Sequence, residues 1–148
     1  MTKRSGQCLC GTVRLSASLP ETTFLACHCG QCRRWTGGGP LYAIRAEGVE
    51  ITGSETIEEF KISAWGARGF CRLCGTTLYW KMQDRGIDSL AVGLLDDQSG
   101  LSLNDEIFSD CRAPWMRPID GASQSTEAQE NEKLVAYLNA REAPGDTR

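Results

Sequence analysis

Short runs in which hydrophobic and polar residues alternate are spread over the first half of the chain. The alternation is clear over residues 12–16 and weaker over residues 57–62. Residues 41–45 and 77–80 are rich in β-branched and aromatic side chains. Such runs are typical of strands that bury one face. The pattern therefore predicts a mainly β fold of several short strands.

Glycines lie between and beside these runs and predict the turns that connect the strands. They include the run at 37–39 before Pro40, and Gly48, Gly66 and Gly69. Turns of this kind suit several short, coiled β-sheets that bend sharply around metal-binding knuckles. No long amphipathic segment separates the strands, which argues against a doubly wound α/β sheet.

The C-terminal segment has a different pattern, which predicts a short helix. Thr126 is followed three residues later by Gln129, as in a capping box, and residues 127–141 place Leu134, Val135 and Leu138 along one face. The first half of this segment is wholly polar, so the pattern fits a docked helix and a solvated one equally. We expect one domain over residues 1–124 and a C-terminal helix with a disordered tail over residues 125–148.

Composition narrows the classes of protein that fit this pattern. A chain of 148 residues with 41% hydrophobic residues is long enough for one domain with its own core. The formal net charge of -3 disfavours a nucleic-acid partner. The sequence contains no run of about 18 apolar residues that could span a bilayer, and its start does not resemble a signal peptide. We expect a soluble, cytoplasmic protein without a membrane partner.

Eight cysteines in such a chain require an explanation, because structural disulfides are rare in the cytosol. Free cysteines that pack as small hydrophobes, or that act as redox pairs, have no reason to cluster at the spacing of metal ligands. Metal binding is therefore the leading interpretation. The groups are Cys8 with Cys10, Cys27 with Cys29 and Cys32, and Cys71 with Cys74, while Cys111 stands alone.

Two of these groups have the form of zinc knuckles, which are pairs of thiolates one tight turn apart. Cys8 and Cys10 precede Gly11, and Cys71 and Cys74 precede Gly75. Because each knuckle supplies half of a tetrahedral site, the two together predict a closed, structural zinc, the four-cysteine site. Such a metal contributes directly to the folding free energy.

The remaining group, the cysteine triad of Cys27, Cys29 and Cys32, offers three of the four ligands that zinc takes. In an extended segment the side chain of His28 points away from its neighbours, so a hydrogen-bonding role near the site suits it better than ligation. Cys111 would complete two closed sites. The spacing alone does not decide between Cys111 and a fourth position left open.

The cysteine motifs, in this order and at this separation, resemble the glutathione-dependent formaldehyde-activating enzyme family, which includes the centromere protein V domain. The similar segments are GQCLCGTVRL, ACHCGQCRRWTGG, RGFCRLCGTTLYW and IFSDCRAPW, within about residues 5–120. The resemblance implies two zinc ions, a structural one on the four-cysteine site and a catalytic one on the triad. It also implies that water or a substrate thiol fills the fourth position. Cys111 departs from the family pattern and keeps a closed second site open as an alternative.

The resemblance further implies a carbon–sulfur lyase that forms S-hydroxymethylglutathione from glutathione and formaldehyde. Zinc coordination deprotonates a thiol outright, which suits this reaction. Three protein thiolates leave the site with a net charge of -1, so positioning the thiol matters more than polarising the aldehyde. The alternative is a non-enzymatic, zinc-stapled binding module with two closed sites. Zinc-dependent deaminases are excluded, because the sequence lacks their H-x-E signature.

Glutathione carries two carboxylates, which arginine binds in bidentate fashion. Arg33 and Arg34 follow the triad and Arg68 precedes the second knuckle, so we expect these three to bind the substrate. The alternative for each is an ordinary solvated arginine. Trp35 is either a wall of the site or part of the core. The physiological thiol and the oligomeric state are not predicted.

Overall fold

The computed structural model describes residues 1–141. The predicted disorder of residues 142–148 concerns a segment outside the described residues. Within the described part, short strands dominate, with two α-helices and three 3-10 turns. The strands are β1 Thr2–Gln7, β2 Arg14–Leu19, β3 Thr23–Cys27, β4 Leu41–Arg45, β5 Glu47–Thr52, β6 Ile57–Phe60, β7 Gly66–Cys71, β8 Thr77–Met82, β9 Ser89–Ala91, β10 Ser102–Ile107 and β11 Ser123–Ser125. The helices are α1 Gly30–Thr36 and α2 Glu127–Arg141.

The strands form three small sheets, which confirms the predicted fold class. One sheet has the order β1-β2-β5 and another β6-β7-β8, and both are antiparallel. The five-stranded sheet has the order β11-β10-β3-β4-β9 and is mixed, because β10 runs parallel to both β3 and β11. Strand β3, which ends at Cys27, is therefore the centre of the largest sheet.

The core follows the alternation seen in the sequence. Val13, Leu15, Ala17 and Leu19 are buried along β2 and the residue before it, while the intervening residues face outward or are half-buried. They pack with buried residues of β4, β8 and β9 in one hydrophobic cluster. The predicted strand at residues 12–16 is thus real, but it begins at Arg14 and continues to Leu19.

The prediction that glycines mark turns was wrong at Gly69, which lies inside β7, whereas Gly66 is the first residue of that strand. A Cβ atom on Gly69 would lie 2.3 Å from a ring carbon of Tyr79, and one on Gly66 would lie 2.9 Å from the ring of Trp80. Both rings belong to β8, so β7 requires glycine where the aromatic side chains of its neighbour cross it. Gly48 likewise lies within β5.

Helix α2 occupies the predicted residues and begins with the predicted capping box. The backbone N–H of Thr126 donates to Gln129 Oε1 at 2.8 Å, and the N–H of Gln129 donates to Thr126 Oγ1 at 3.3 Å. The predicted inner face was wrong at Val135, which is 55% exposed, whereas Tyr137 is half-buried.

Polar contacts dock the end of α2 against the turn after β8. Tyr137 donates its hydroxyl to Asp84 at 3.3 Å, and Arg141 forms an ion pair with Asp84 at 2.9 Å. Arg85 also stacks over the ring of Tyr137. The docked alternative is therefore the one that the structure adopts. Among residues 1–141, no helix combines the length and the apolar character needed to cross a membrane.

Candidate metal centres

The four-cysteine site lies where two β-hairpins meet. Cys8 and Cys10 lie in the turn between β1 and β2, Cys71 ends β7 and Cys74 lies in the turn before β8. The four sulfurs lie within 4.8 Å of one another, with 3.6 Å between Cys8 and Cys10 and 3.9 Å between Cys10 and Cys71. A zinc–sulfur distance of about 2.3 Å in a tetrahedron separates sulfurs by about 3.8 Å. The residues therefore fit a four-thiolate zinc.

Both knuckles turn through glycines in the left-handed region, with φ of 79° at Gly11 and 76° at Gly75. These conformations strain residues that carry a Cβ. Hydroxyls support the ligands, because Thr76 Oγ1 lies 3.1 Å from the sulfur of Cys74 and lowers the pKa of that thiol to about 5. Such hydrogen bonds favour the thiolate forms that a metal requires.

The cysteine triad lies at the C-terminal end of β3. Cys27 is the last residue of the strand, Cys29 is the N-cap of α1 and Cys32 lies in the first turn of that helix. The backbone N–H of Cys32 donates to the sulfur of Cys29 at 3.3 Å. The three sulfurs lie within 4.8 Å of one another, with Cys27 and Cys32 buried and Cys29 half-buried. The strand-to-helix junction thus brings three thiols together and leaves Cys29 partly accessible to solvent.

The pKa shifts of the triad thiols are also consistent with a site for a bound cation. Hydrogen bonds from the Cys27 and Cys32 thiols and from the backbone of Cys32 lower the pKa of Cys29. Hydrogen bonds to Cys29 and Cys32, together with burial, raise the pKa of Cys27. Three thiolates so close together repel one another, and a bound divalent cation removes that repulsion. The donor set therefore fits zinc as well.

Cys111 lies outside both groups of sulfurs. It ends a 3-10 turn, and its sulfur lies 3.7 Å from the carboxylate of Glu127 and 4.0 Å from that of Asp110. Burial and these two carboxylates raise the pKa of Cys111, which disfavours the thiolate. The structure therefore does not bring Cys111 to the triad as a fourth ligand.

His28 turns away from the triad into a buried polar cluster around Glu106. Its Nε2 lies 2.8 Å from Glu106 Oε1, and the two residues are 4% and 1% exposed. Burial opposes ionisation of Glu106, but hydrogen bonds from Gln124, the backbone of Ile119 and His28, with the charge of Arg112, lower its pKa to about 2. The cluster ties the segment between two triad ligands to the C-terminal part of the domain.

Sequence reasoning missed Glu106. The residue lies in β10, whose sequence SLNDEI reads as polar, and its partner His28 is 78 residues away. A lone glutamate carries no signal of burial in a sequence, so only the parallel pairing of β10 with β3 reveals the contact.

The three predicted substrate arginines occupy different environments. Arg33 and Arg34 are exposed on α1, where Arg34 donates to the carbonyl of Gly30. Arg68 is 6% exposed and contacts Gln31, Cys32 and Trp35, all on α1.

Trp35 is half-buried and packs against the cluster formed by Cys27, Cys32 and Leu41. It is thus part of the packing around the triad rather than an exposed wall of a binding site. The glycine run after it ends the helix, because Gly37 is the left-handed C-cap of α1.

A groove of about 600 Å³ lies against the four-cysteine site. Its lining includes Cys8, Leu9, Tyr42 and Leu95, and none of the triad cysteines is among the described residues that line it. This groove is therefore not centred on the triad, which reaches solvent at Cys29.

The fold and the two sulfur groups define a class of protein: a small β domain with one group of four thiols and a second group of three, each spaced closely enough to hold a metal ion. The model of the glutathione-dependent formaldehyde-activating enzyme family matches residues 3–111, and the chain belongs to this family.

Two relatives extend this comparison. The chain is 31% identical over 80 residues to an uncharacterised lyase of Schizosaccharomyces pombe. The match covers 54% of this chain and 58% of the length of that relative. A crystal structure of a Rhodobacter sphaeroides protein has the same fold, with a TM-score of 0.54 and 20% identity over 68% of this chain and 99% of that one.

Proposed function

We propose that the protein is a zinc-dependent carbon–sulfur lyase that acts on a glutathione-type thiol and formaldehyde, with two zinc ions per chain. One observation carries the proposal: the three triad sulfurs lie within 4.8 Å of one another, and no further cysteine, histidine or carboxylate of residues 1–141 joins the group. Three protein ligands with an open position are the pattern of catalytic zinc sites, and four are the pattern of structural ones.

The residues divide between two roles in this proposal. Cys8, Cys10, Cys71 and Cys74 hold a structural zinc that joins the hairpins. Cys27, Cys29 and Cys32 hold the catalytic zinc and leave one position for the thiol of the substrate. The zinc ion supplies the Lewis acidity that keeps a bound thiol deprotonated near neutral pH.

The reaction requires little acid–base chemistry from the protein. The sulfur of the thiolate attacks the carbonyl carbon of formaldehyde and a carbon–sulfur bond forms. The π bond of the carbonyl breaks, its electron pair goes to the oxygen, and the oxygen takes up one proton. The proton lost by the thiol balances the one gained by the oxygen, and solvent carries it. The reverse reaction breaks the same bond and releases formaldehyde and thiol. The contribution of the protein is to hold the thiol in place and ionised.

Arg33 and Arg34 support a thiol that carries carboxylates. Both are exposed and directly follow Cys32 on α1, and one terminal nitrogen of Arg34 donates to the carbonyl of Gly30. We propose that they bind the carboxylates of glutathione. We do not assign the buried Arg68 to these carboxylates, because its guanidinium already contacts Gln31, Cys32 and Trp35.

Exchange NMR tests the proposed reaction, because it measures the interconversion of glutathione and S-hydroxymethylglutathione at equilibrium. We expect the zinc-loaded protein to accelerate this exchange above the spontaneous rate. Cys29→Ser should abolish the acceleration, since it removes a triad ligand. Cys111→Ser makes the same chemical change outside the triad and should leave the rate unaltered. A wild-type rate equal to the spontaneous one would favour the alternative of a non-enzymatic binding module.

A further inference from the structure

Arg68 is a buried arginine that links the β6-β7-β8 sheet to helix α1. It lies on β7, and its partners lie on α1, where Gln31 and Cys32 are in the first turn and Trp35 is in the next. Its side chain is nearly as inaccessible as the core, with 6% exposure. A residue so placed interacts first with the protein around it.

The three contacts of Arg68 fix the position of its charge. One terminal nitrogen donates to Gln31 Oε1 at 2.9 Å, and the guanidinium carbon lies 5.0 Å from the ring centroid of Trp35. The other terminal nitrogen donates to the sulfur of Cys32 at 3.4 Å. The amide and the aromatic face hold the guanidinium in a plane that directs a positive charge at one triad sulfur.

The contact between Arg68 and Cys32 places a positive charge beside a site that would be negatively charged with zinc bound. Zinc with three thiolates carries a net charge of -1, and with a fourth thiolate from a substrate the net charge becomes -2. A guanidinium keeps its charge inside proteins, and Arg68 and Cys32 are both buried, so solvent screens their interaction little. Arg68 therefore offsets one negative charge of the site in both the free and the thiol-bound state.

We propose that Arg68 is a positioning residue that acts through Cys32: it stabilises the third thiolate, strengthens zinc binding at the triad, and allows an anionic thiol to occupy the open position. This inference rests on the proposed function, because it requires zinc at the triad. It assigns Arg68 to the metal site rather than to the carboxylates of the substrate.

The first test measures zinc affinity by competition with a chelator, on the full chain after reconstitution. Arg68→Met removes the charge and keeps much of the volume. We expect it to weaken zinc binding at the triad by about ten- to a hundredfold, the range for residues that support metal ligands. The four-cysteine site should bind zinc as in the wild type and reports that the variant is folded. Arg117→Met, which removes the charge of an exposed arginine, is the matched control and should change neither affinity.

The second test separates a role at the metal from a role at the substrate. Cobalt-loaded protein is titrated with glutathione and with 2-mercaptoethanol, and the thiolate-to-cobalt absorption band reports binding. Arg68→Met should weaken both thiols by a similar factor, because the lost charge acts on the sulfur. A loss confined to glutathione would show that Arg68 binds a carboxylate, and it would overturn the inference.

Two further variants and the wild type complete the design. Arg68→Lys keeps a positive charge and should lose less zinc affinity than Arg68→Met. If Arg68→Met does not fold, Arg68→Gln replaces it with the same expectation. Equal zinc affinity in the wild type and the neutral variants would contradict the inference alone. A wild-type protein that binds zinc only at the four-cysteine site would contradict the proposed function as well.

Discussion

At the scale of residues, the arginines beside the triad illustrate how similar sequence positions lead to different environments. Arg33 and Arg34 point to solvent from α1, whereas Arg68 is enclosed by the same helix. The flanking position of each was readable in the sequence, but the direction of each side chain was not. That direction depends on where β7 lies relative to α1, which is a tertiary feature.

The exposed pair carries the first residue-scale prediction. If Arg33 or Arg34 binds a carboxylate of glutathione, replacing it with Ala should weaken binding by about 1.5–3 kcal/mol, the range for a hydrogen bond between charged groups. Zinc content should not change. Isothermal titration of the zinc-loaded variants measures the effect, with Arg117→Ala as the control. Unaltered glutathione affinity in both variants would remove these residues from the site.

Glu106 shows the limit of prediction at this scale. The spacing of the cysteines was sufficient to predict both sulfur groups, and it was also predicted that the side chain of His28 points away from the triad. The partner of His28 was not, because a buried carboxylate 78 residues away leaves no local pattern. Its donors come from a long irregular segment and from β11, which sequence periodicity does not place.

At the scale of elements, β7 connects the two groups of cysteines. Cys71 at its end belongs to the four-cysteine site, and Arg68 three residues earlier contacts the triad. The sequence GARGFC lacks hydrophobic alternation, so the strand was not predicted. Its existence depends on the aromatic residues of β8, which pack over its glycines.

This packing predicts the effect of adding a single methyl group in β7. Gly69→Ala places a Cβ within 2.3–2.6 Å of three ring carbons of Tyr79, a residue that is 4% exposed. We expect the free energy of unfolding to fall by about 1–3 kcal/mol, as for overpacked cores. Chemical denaturation of the zinc-loaded protein measures it. Gly86→Ala adds the same group in open space and should have little effect. Equal stability in the two variants would show that β7 and β8 are not packed as described.

At the scale of the whole molecule, the metal pattern and the fold class were predictable because both depend on local spacing. Cysteine knuckles and β-rich runs predicted a mainly β domain around two sulfur groups, and the capping box predicted α2. The division into three sheets was not predictable in this way. It follows from pairings such as β10 with β3 and β2 with β5, which join segments far apart in the chain.

The architecture gives each sulfur group a different setting. The four-cysteine site joins two hairpin turns and closes on itself, whereas the triad lies at the end of the central strand of the largest sheet. The first arrangement suits stability and the second suits access by a ligand. In the proposed function, the triad holds zinc with three protein sulfurs and one exchangeable position.

X-ray absorption at the zinc edge tests this claim most directly, because it counts the sulfurs bound at about 2.3 Å. We expect seven protein sulfurs on two zincs in the free protein. When glutathione is added, its own sulfur should appear as an eighth. Cys111→Ser should change neither spectrum. Eight sulfurs on two zincs before glutathione is added, with one lost in Cys111→Ser, would show a closed second site and contradict the account.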